Sequence, residues 1–252
     1  ARSASVARAV RIRFISVLPF FLVDDAGEFV QRSARRGKLG GCGPMSLTIY
    51  GDSISGNCLK VKWVAQRLRL KFDWIETSVI TGETRTPQFL ALNAAGQVPL
   101  VILEDGRPLA QSNAIMLHLA ESSDLVPRDA YDRAKMLEWL FWEQYSHEPY
   151  VAVARFQMVY LGKKLHEREA RIVEKAESAL DVLEQALSGR TYLVGDELTL
   201  ADISLLAYTR LAPEGGFILS HRPAVRKWIA QCERDLNISS DQPAATGGAR
   251  HG

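Results

Sequence analysis

Residues 93–112 read NAAGQVPLVILEDGRPLAQS. Pro99 heads the apolar run Leu100-Val101-Ile102-Leu103. Within a sheet, proline is confined to a strand's first residue, an edge or a bulge. The run is too short for a helix and reads as a buried strand. Glu104-Asp105-Gly106-Arg107 then carries the Asp-Gly hairpin signal, so Pro108 to Ala110 is expected to return as a short antiparallel strand. Ser112 supplies a hydroxyl for the N-cap of a helix through AIMLHLAES.

Upstream, Leu47 to Tyr50 reads as a strand. From Asn57 the period becomes helical, with Val61, Val64, Ala65 and Leu68 on one face and Lys60, Lys62, Arg67 and Arg69 at other positions. Phe72 to Ser78 is rich in aromatic and β-branched residues, as a second strand requires. Pro87 suits the first turn of a short helix ending at Leu92. The order β-α-β-α-β-β-α predicts a parallel pair from the first unit and an antiparallel pair from the hairpin.

Downstream of Asp124-Leu125-Val126-Pro127 every signal is helical. One long helix is expected over about 129–161 with a kink at Pro149. Another spans about 165–187 and stops near Gly189. Thr199 and Asp202 form a variant capping box ahead of a central helix that buries Ile203, Leu206, Ala207 and Leu211. The last helix runs from Pro223 to Leu236, with Val225, Trp228, Ile229 and Cys232 inward. The expected organisation is two domains, residues 45–122 and 128–237, followed by a flexible tail at 238–252.

The chain has 252 residues, enough for two modest domains. Its formal net charge of +2 removes any electrostatic case for nucleic acid or a membrane surface. The cysteines, Cys42, Cys58 and Cys232, are too few and too scattered for a disulfide framework or a zinc site, which suggests a reducing compartment. No apolar run is long enough to span a bilayer. Residues 1–44 differ from the rest, with a basic start, the stretch FISVLPFFLV and a basic, glycine-rich end. A targeting signal is one reading of them. The preferred expectation is a mostly disordered extension ahead of Met45, with a short helix at 11–22.

The turn SISGNCLK (53–60), NAAGQVP (93–99), LAQSNAI (109–115) and TYLVGDELTLADI (191–203), in this order, resemble the glutathione S-transferase family in its cytosolic, serine-type branch, theta- or phi-like. The resemblance covers nearly all of residues 45–237. It implies an α/β thioredoxin-like N-terminal domain with a mixed four-stranded sheet, and an all-α C-terminal domain. It also implies glutathione as co-substrate, a small electrophilic and largely apolar second substrate, a homodimer, and a cytoplasmic detoxifying transferase.

By the same resemblance, Pro99 takes the place of the family's cis proline. The backbone of Val98 then faces the cysteinyl part of glutathione. Gln111 and Ser112 receive the γ-glutamyl end, where free N–H groups at a helix start welcome a carboxylate. Gln97 lies near the glycyl half. Arg85 stands where some relatives carry a lysine for the glycyl carboxylate, and Thr84 departs from their histidine.

A cysteine-like thiol has a pKa of about 8.5, and only its thiolate attacks electrophiles. Lowering that value by roughly two units takes about 2.7 kcal/mol, within reach of a charge-assisted hydrogen bond beside a helix N-terminus. Ser55 is the expected donor to the sulfur and Asn57 the second. Cys58 is expected to be a packed residue; if exposed, it would favour mixed-disulfide chemistry. Tyr50 is assigned a structural role.

The electrophile is expected against the first long helix, where Tyr131, Trp142, Tyr145, His147, Tyr150 and Phe156 supply aromatic surface. Glu143 and His147, four apart, are expected to be an exposed pair. Arg155 either pairs internally or reaches the cleft. Peroxidase, thiol-exchange, isomerase or dehalogenase chemistry in the same site, and a non-catalytic interaction module, stand as alternatives.

Overall fold

The computed structural model describes residues 46–238. The expectations for an extension at 1–44 and a helix at 11–22 fall outside those residues, as does the tail expected at 238–252 apart from Ile238, which is buried in the core instead of loose. Strand β1 (Leu47–Gly51) is flanked by β2 (Phe72–Glu76) and β3 (Leu100–Ile102), and β4 (Pro108–Ala110) closes the order β2-β1-β3-β4. The β1–β2 pair is parallel, in register Leu47 with Phe72. The β1–β3 and β3–β4 pairs are antiparallel, setting Ile49 against Val101 and Val101 against Leu109. Ile49 and Val101 are fully buried, as the inward positions of a period-two pattern must be.

Helix α1 (Gly56–Arg67) makes the parallel crossover and buries Val61, Val64 and Ala65 as its period requires. Helix α2 (Pro87–Leu92) starts at proline and is capped by Thr86, whose hydroxyl accepts from the Phe89 N–H. Helix α3 (Ser112–Ala120) begins one residue earlier than its cap signal suggests. Gln111 occupies the cap position at φ 71°, and Ser112 is the first helical residue. The expected mixed four-stranded sheet and helical second half are both present.

The helical half opens with α4 (Ala130–Trp142), where the Asp129 carboxylate accepts from the N–H groups of Tyr131 and Asp132 at 2.9 and 3.0 Å. The single kinked helix expected over 129–161 is instead two helices joined by a wide π turn, Glu143–His147, that leads into α5 (Glu148–Val159). Pro149 has no N–H and its ring crowds the carbonyl four residues back. The chain responds by widening one turn, so the Glu148 N–H donates to the Glu143 carbonyl five residues earlier. The widened turn rotates Glu143 and His147 inward. Both are 0% exposed, which corrects the expectation of an exposed pair.

Helix α6 (Ala170–Leu187) and α7 (Leu200–Thr209) follow, and α7 buries every residue it contains. Its capping box forms as the sequence indicates. The Thr199 N–H donates to Asp202 at 3.0 Å, and the Thr199 hydroxyl accepts from Ala201. Helix α8 (Pro223–Asp235) turns Val225, Trp228 and Cys232 inward, and Ile238 beyond it also joins the core. That core is continuous across both halves, from Ile49 and Val61 to Leu205, Leu206 and Trp228.

Lys60 is 0% exposed within this core, although the α1 pattern sets it off the apolar face. Its Nζ meets both carboxylate oxygens of Glu143, Asn113 Oδ1 and Ser204 Oγ, each at 3.2 Å. The wide turn of α4–α5 brings Glu143 to this lysine. A charge can stay buried here because three elements supply its partners.

Candidate functional site

The segment leading into β3 and the starts of α1 and α3 meet at a groove of ≈ 400 Å³. Its walls include Asn57, Arg85, Gln97, Val98, Pro99, Gln111 and Ser112, which are seven of the eight site residues singled out from sequence. The Val98–Pro99 peptide is cis. The turn before it is fixed by Asn93, whose Nδ2 donates to the Gln97 carbonyl at 2.8 Å. Gly96 sits at φ 59°, and a Cβ there would lie 2.6 Å from Arg85 Nη1, so glycine lets the turn and Arg85 lie together. Arg85 itself donates to the Ala95 carbonyl at 3.2 Å.

Asn57 is the hub. Its Oδ1 accepts from the Ser112 hydroxyl at 3.0 Å and its Nδ2 donates to Glu148 Oε1 at 2.7 Å. A donor on one side and a carboxylate on the other fix the amide's orientation. One Nδ2 hydrogen goes to Glu148, and Asn57 itself forms part of the groove wall. The Asn57 backbone N–H donates to the Tyr208 hydroxyl at 3.3 Å. Gly56 makes that approach feasible, since a Cβ would fall 2.7 Å from the Tyr208 ring.

Ser55 is the eighth residue and does not line the groove. It precedes α1 with extended backbone, at φ −80° and ψ 124°, and makes no side-chain cap. It is half-buried, a neighbour of the Cys58 thiol and the Tyr208 hydroxyl. Behind it, the loop is held by α5. Arg155 Nη1 donates to the Ile54 carbonyl at 2.8 Å while its Nε pairs with Glu214 at 2.7 Å. The Tyr160 hydroxyl donates to Asp52 at 3.3 Å. Arg155 thus pairs internally and positions the turn.

Cys58 is fully buried, and burial pushes its thiol up to about 12. Such a group is almost entirely protonated near neutral pH and does not act as a nucleophile. Iodoacetamide is therefore expected to leave Cys58 unmodified in the native protein and to label it after unfolding, as read by peptide mass mapping. Tyr50 packs edge-on to Phe89, with ring centroids 6.1 Å apart, consistent with its structural assignment.

Glu148, Gln144 and Tyr208 escaped the sequence reading. Gln144 and Glu148 lie on the groove wall, and both also line an adjoining cavity of ≈ 260 Å³ with Pro149, Val153, Phe156 and Tyr208. Gln144 Nε2 bridges Glu148 Oε2 and Glu143 Oε2, the latter at 2.8 Å. Desolvation raises the Glu148 carboxyl above its ordinary range, and Lys60 opposes that rise. Of the aromatic residues proposed for the second substrate, Phe156 reaches the adjoining cavity. Tyr131 and Tyr145 are 72% and 83% exposed and point elsewhere. A wider depression of ≈ 820 Å³ by Arg67, Asp124 and Asp196 contains none of the site residues. Among the described residues no cluster of metal-ligating side chains occurs.

His147 sits behind the groove. The Thr209 hydroxyl gives its proton to the Leu205 carbonyl at 2.7 Å and so accepts from His147 Nε2 at 3.1 Å, leaving Nδ1 unprotonated and, among the described residues, without a partner. Burial lowers its pKa from 6.5 to about 4. The unfolded chain binds a proton at this site as pH falls through 6.5, and the native protein does not until about 4. Stability is therefore expected to fall by about 3 kcal/mol across that window from His147 alone. Urea midpoints measured against pH should show the slope, and His147→Gln should flatten it.

Two family models match the chain. The N-terminal domain of glutathione S-transferase covers residues 54–122 and the C-terminal domain residues 143–235. Glutathione S-transferase 3 of Zea mays is 34% identical over 194 residues, covering 72% of this chain and 86% of the maize protein. A solved glutathione S-transferase from Xanthobacter autotrophicus Py2 is 46% identical, with a TM-score of 0.70 over 75% of this chain and 93% of its own. One from Pseudomonas fluorescens is 43% identical, with a TM-score of 0.73 over 75% and 95%.

Proposed function

Because the chain belongs to the glutathione S-transferase family, as the two matching domain models and the 34% identical maize relative establish, we propose that its groove binds glutathione as co-substrate and activates the thiolate for attack on a small electrophile. The observation that carries this reading is the convergence of Asn57, the Val98–Pro99 peptide, Gln111 and Ser112 on one wall system. The backbone of Val98 serves the cysteinyl portion like a strand edge. Gln111 and Ser112 at the start of α3 receive the γ-glutamyl carboxylate, and Gln97 and Arg85 the glycyl end. The electrophile takes the adjoining cavity at Val153, Phe156 and Tyr208.

We place the chain in the branch whose donor to sulfur comes from the start of α1 rather than from a strand-one tyrosine, and assign Asn57 as principal donor. Ser55 supports it from behind the turn, its hydroxyl beside Tyr208. The family's two domains meet within residues 123–127. A homodimer is supported by the exposed aromatic residues Tyr131 and Phe141 on α4 and Tyr145 just beyond it. Two free buried thiols, Cys58 and Cys232, fit a reducing, cytoplasmic setting.

The test is retention on immobilised glutathione followed by assays with an aryl halide, an activated alkene and a peroxide. Retention with conjugation supports the reading. A folded protein that neither binds glutathione nor turns over any of the three overturns it and favours an interaction module.

A further inference from the structure

Glu148 has no assigned role in the transferase reading, yet it occupies the wall shared by both cavities. Its Oε1 accepts from Asn57 Nδ2 at 2.7 Å, and its Oε2 accepts from Gln144. The charged and titratable groups that face it are few. From α1 comes Lys60, and from the π turn just ahead of α5 comes Glu143. From α7 comes Tyr208, whose hydroxyl burial holds neutral, and Arg85 lies on the same groove's wall. Lys60 is already committed to Glu143 in a pair with neither side chain exposed.

The inner cluster of Lys60, Glu143 and Glu148 therefore carries one positive and two negative charges. A glutathione thiolate held by Asn57 adds a third negative charge beside Glu148. Like charges this close disfavour joint ionisation, and such pairs keep one proton between them. The proton that leaves the sulfur has an acceptor at hand, next to the amide that is to hold the sulfur.

Resting on the glutathione reading above, we propose that Glu148 is the proton acceptor for the bound thiol. The S–H bond breaks, an O–H bond forms on the Glu148 carboxyl, and the total charge of the site is unchanged. The sulfur keeps the electron pair and attacks the electrophile. The proton then goes to the carbanion or alkoxide formed by addition, or to solvent when a halide leaves. Because Glu148 also lines the electrophile cavity, it is placed to deliver that proton. Burial, which raises the Glu148 carboxyl, supports the same direction of transfer.

The test counts protons. Glutathione is titrated into the full chain by calorimetry near neutral pH, in buffers of different ionisation enthalpy, while the ultraviolet thiolate band is recorded. The wild-type protein is expected to form thiolate with close to no proton released to buffer. Glu148→Gln is expected either to form no thiolate or to release a full proton for each thiolate formed. Its retained circular dichroism and glutathione retention separate this from misfolding. A wild-type protein that releases a full proton per thiolate overturns the inference and leaves the transferase reading standing, as does a Glu148→Gln protein identical to wild type. Absence of any thiolate band in the wild type overturns the activation reading and this inference with it.

Discussion

Lys60→Met is expected to lower the unfolding free energy by about 3–5 kcal/mol, because it leaves the Glu143 carboxylate buried without its counter-charge. Neither member of this pair has any exposed side-chain surface. After the substitution Glu143 keeps only neutral donors, Gln144 Nε2 at 2.8 Å and Asn113 Nδ2 at 3.3 Å. Most of the loss is the cost of stranding a charge rather than the worth of the pair, so the double variant Lys60→Met, Glu143→Leu should recover much of it. Asn113 then still donates to the Leu140 carbonyl at 3.1 Å and accepts from Ser204 at 2.9 Å. Urea midpoints of the two single variants and the double variant check this. A single-variant loss under about 1 kcal/mol would place the pair in the range of exposed salt bridges and contradict its burial.

Asn57→Ala is expected to lower kcat/KM for conjugation by about 10²–10³-fold, the range seen when one preorganised donor to a developing anion is removed. The side chain is truncated at the point where α1, α3 and α5 are joined by its two hydrogen bonds, to Ser112 and Glu148. Glutathione retention should persist, since the substitution leaves in place the Val98 backbone and the start of α3, to which the proposed reading assigns the cysteinyl and γ-glutamyl contacts. Ser55→Ala is expected to reduce turnover far less than Asn57→Ala, because Ser55 is not part of the groove wall. Steady-state kinetics on the two variants, with melting curves to verify folding, decide between the two donors. A larger loss in Ser55→Ala would return the assignment to the serine.

The pattern of Pro99, the Asp-Gly hairpin and the helix start at Ser112 was legible because each feature is local chemistry: a missing N–H, a tight turn and a capping hydroxyl. The capping box of Thr199 and Asp202 was legible for the same reason. What local pattern does not carry is phase. Pro149 marked a kink, but whether the chain bends or widens by one residue decides which side chains turn inward. The π turn took Glu143 and His147 from an assumed surface to the core, and it placed Glu148 on the groove.

Lys60 was read as an ordinary flank of α1 because a lysine's burial depends on partners from α3, the π turn and α7, none of them near in sequence. Ser55 and Asn57 were both legible as candidates. Their ranking depends on the direction in which each side chain leaves the turn, which residue spacing does not encode.

The measurement that bears most directly on the whole account is the pH titration of the ultraviolet thiolate band of glutathione bound to the wild-type protein. The expected half-point lies roughly two units below the value of about 8.5 for an ordinary thiol, with the shift largely abolished in Asn57→Ala. A bound glutathione that titrates near 8.5 in the wild type, or a lowered value that Asn57→Ala leaves in place, would contradict it.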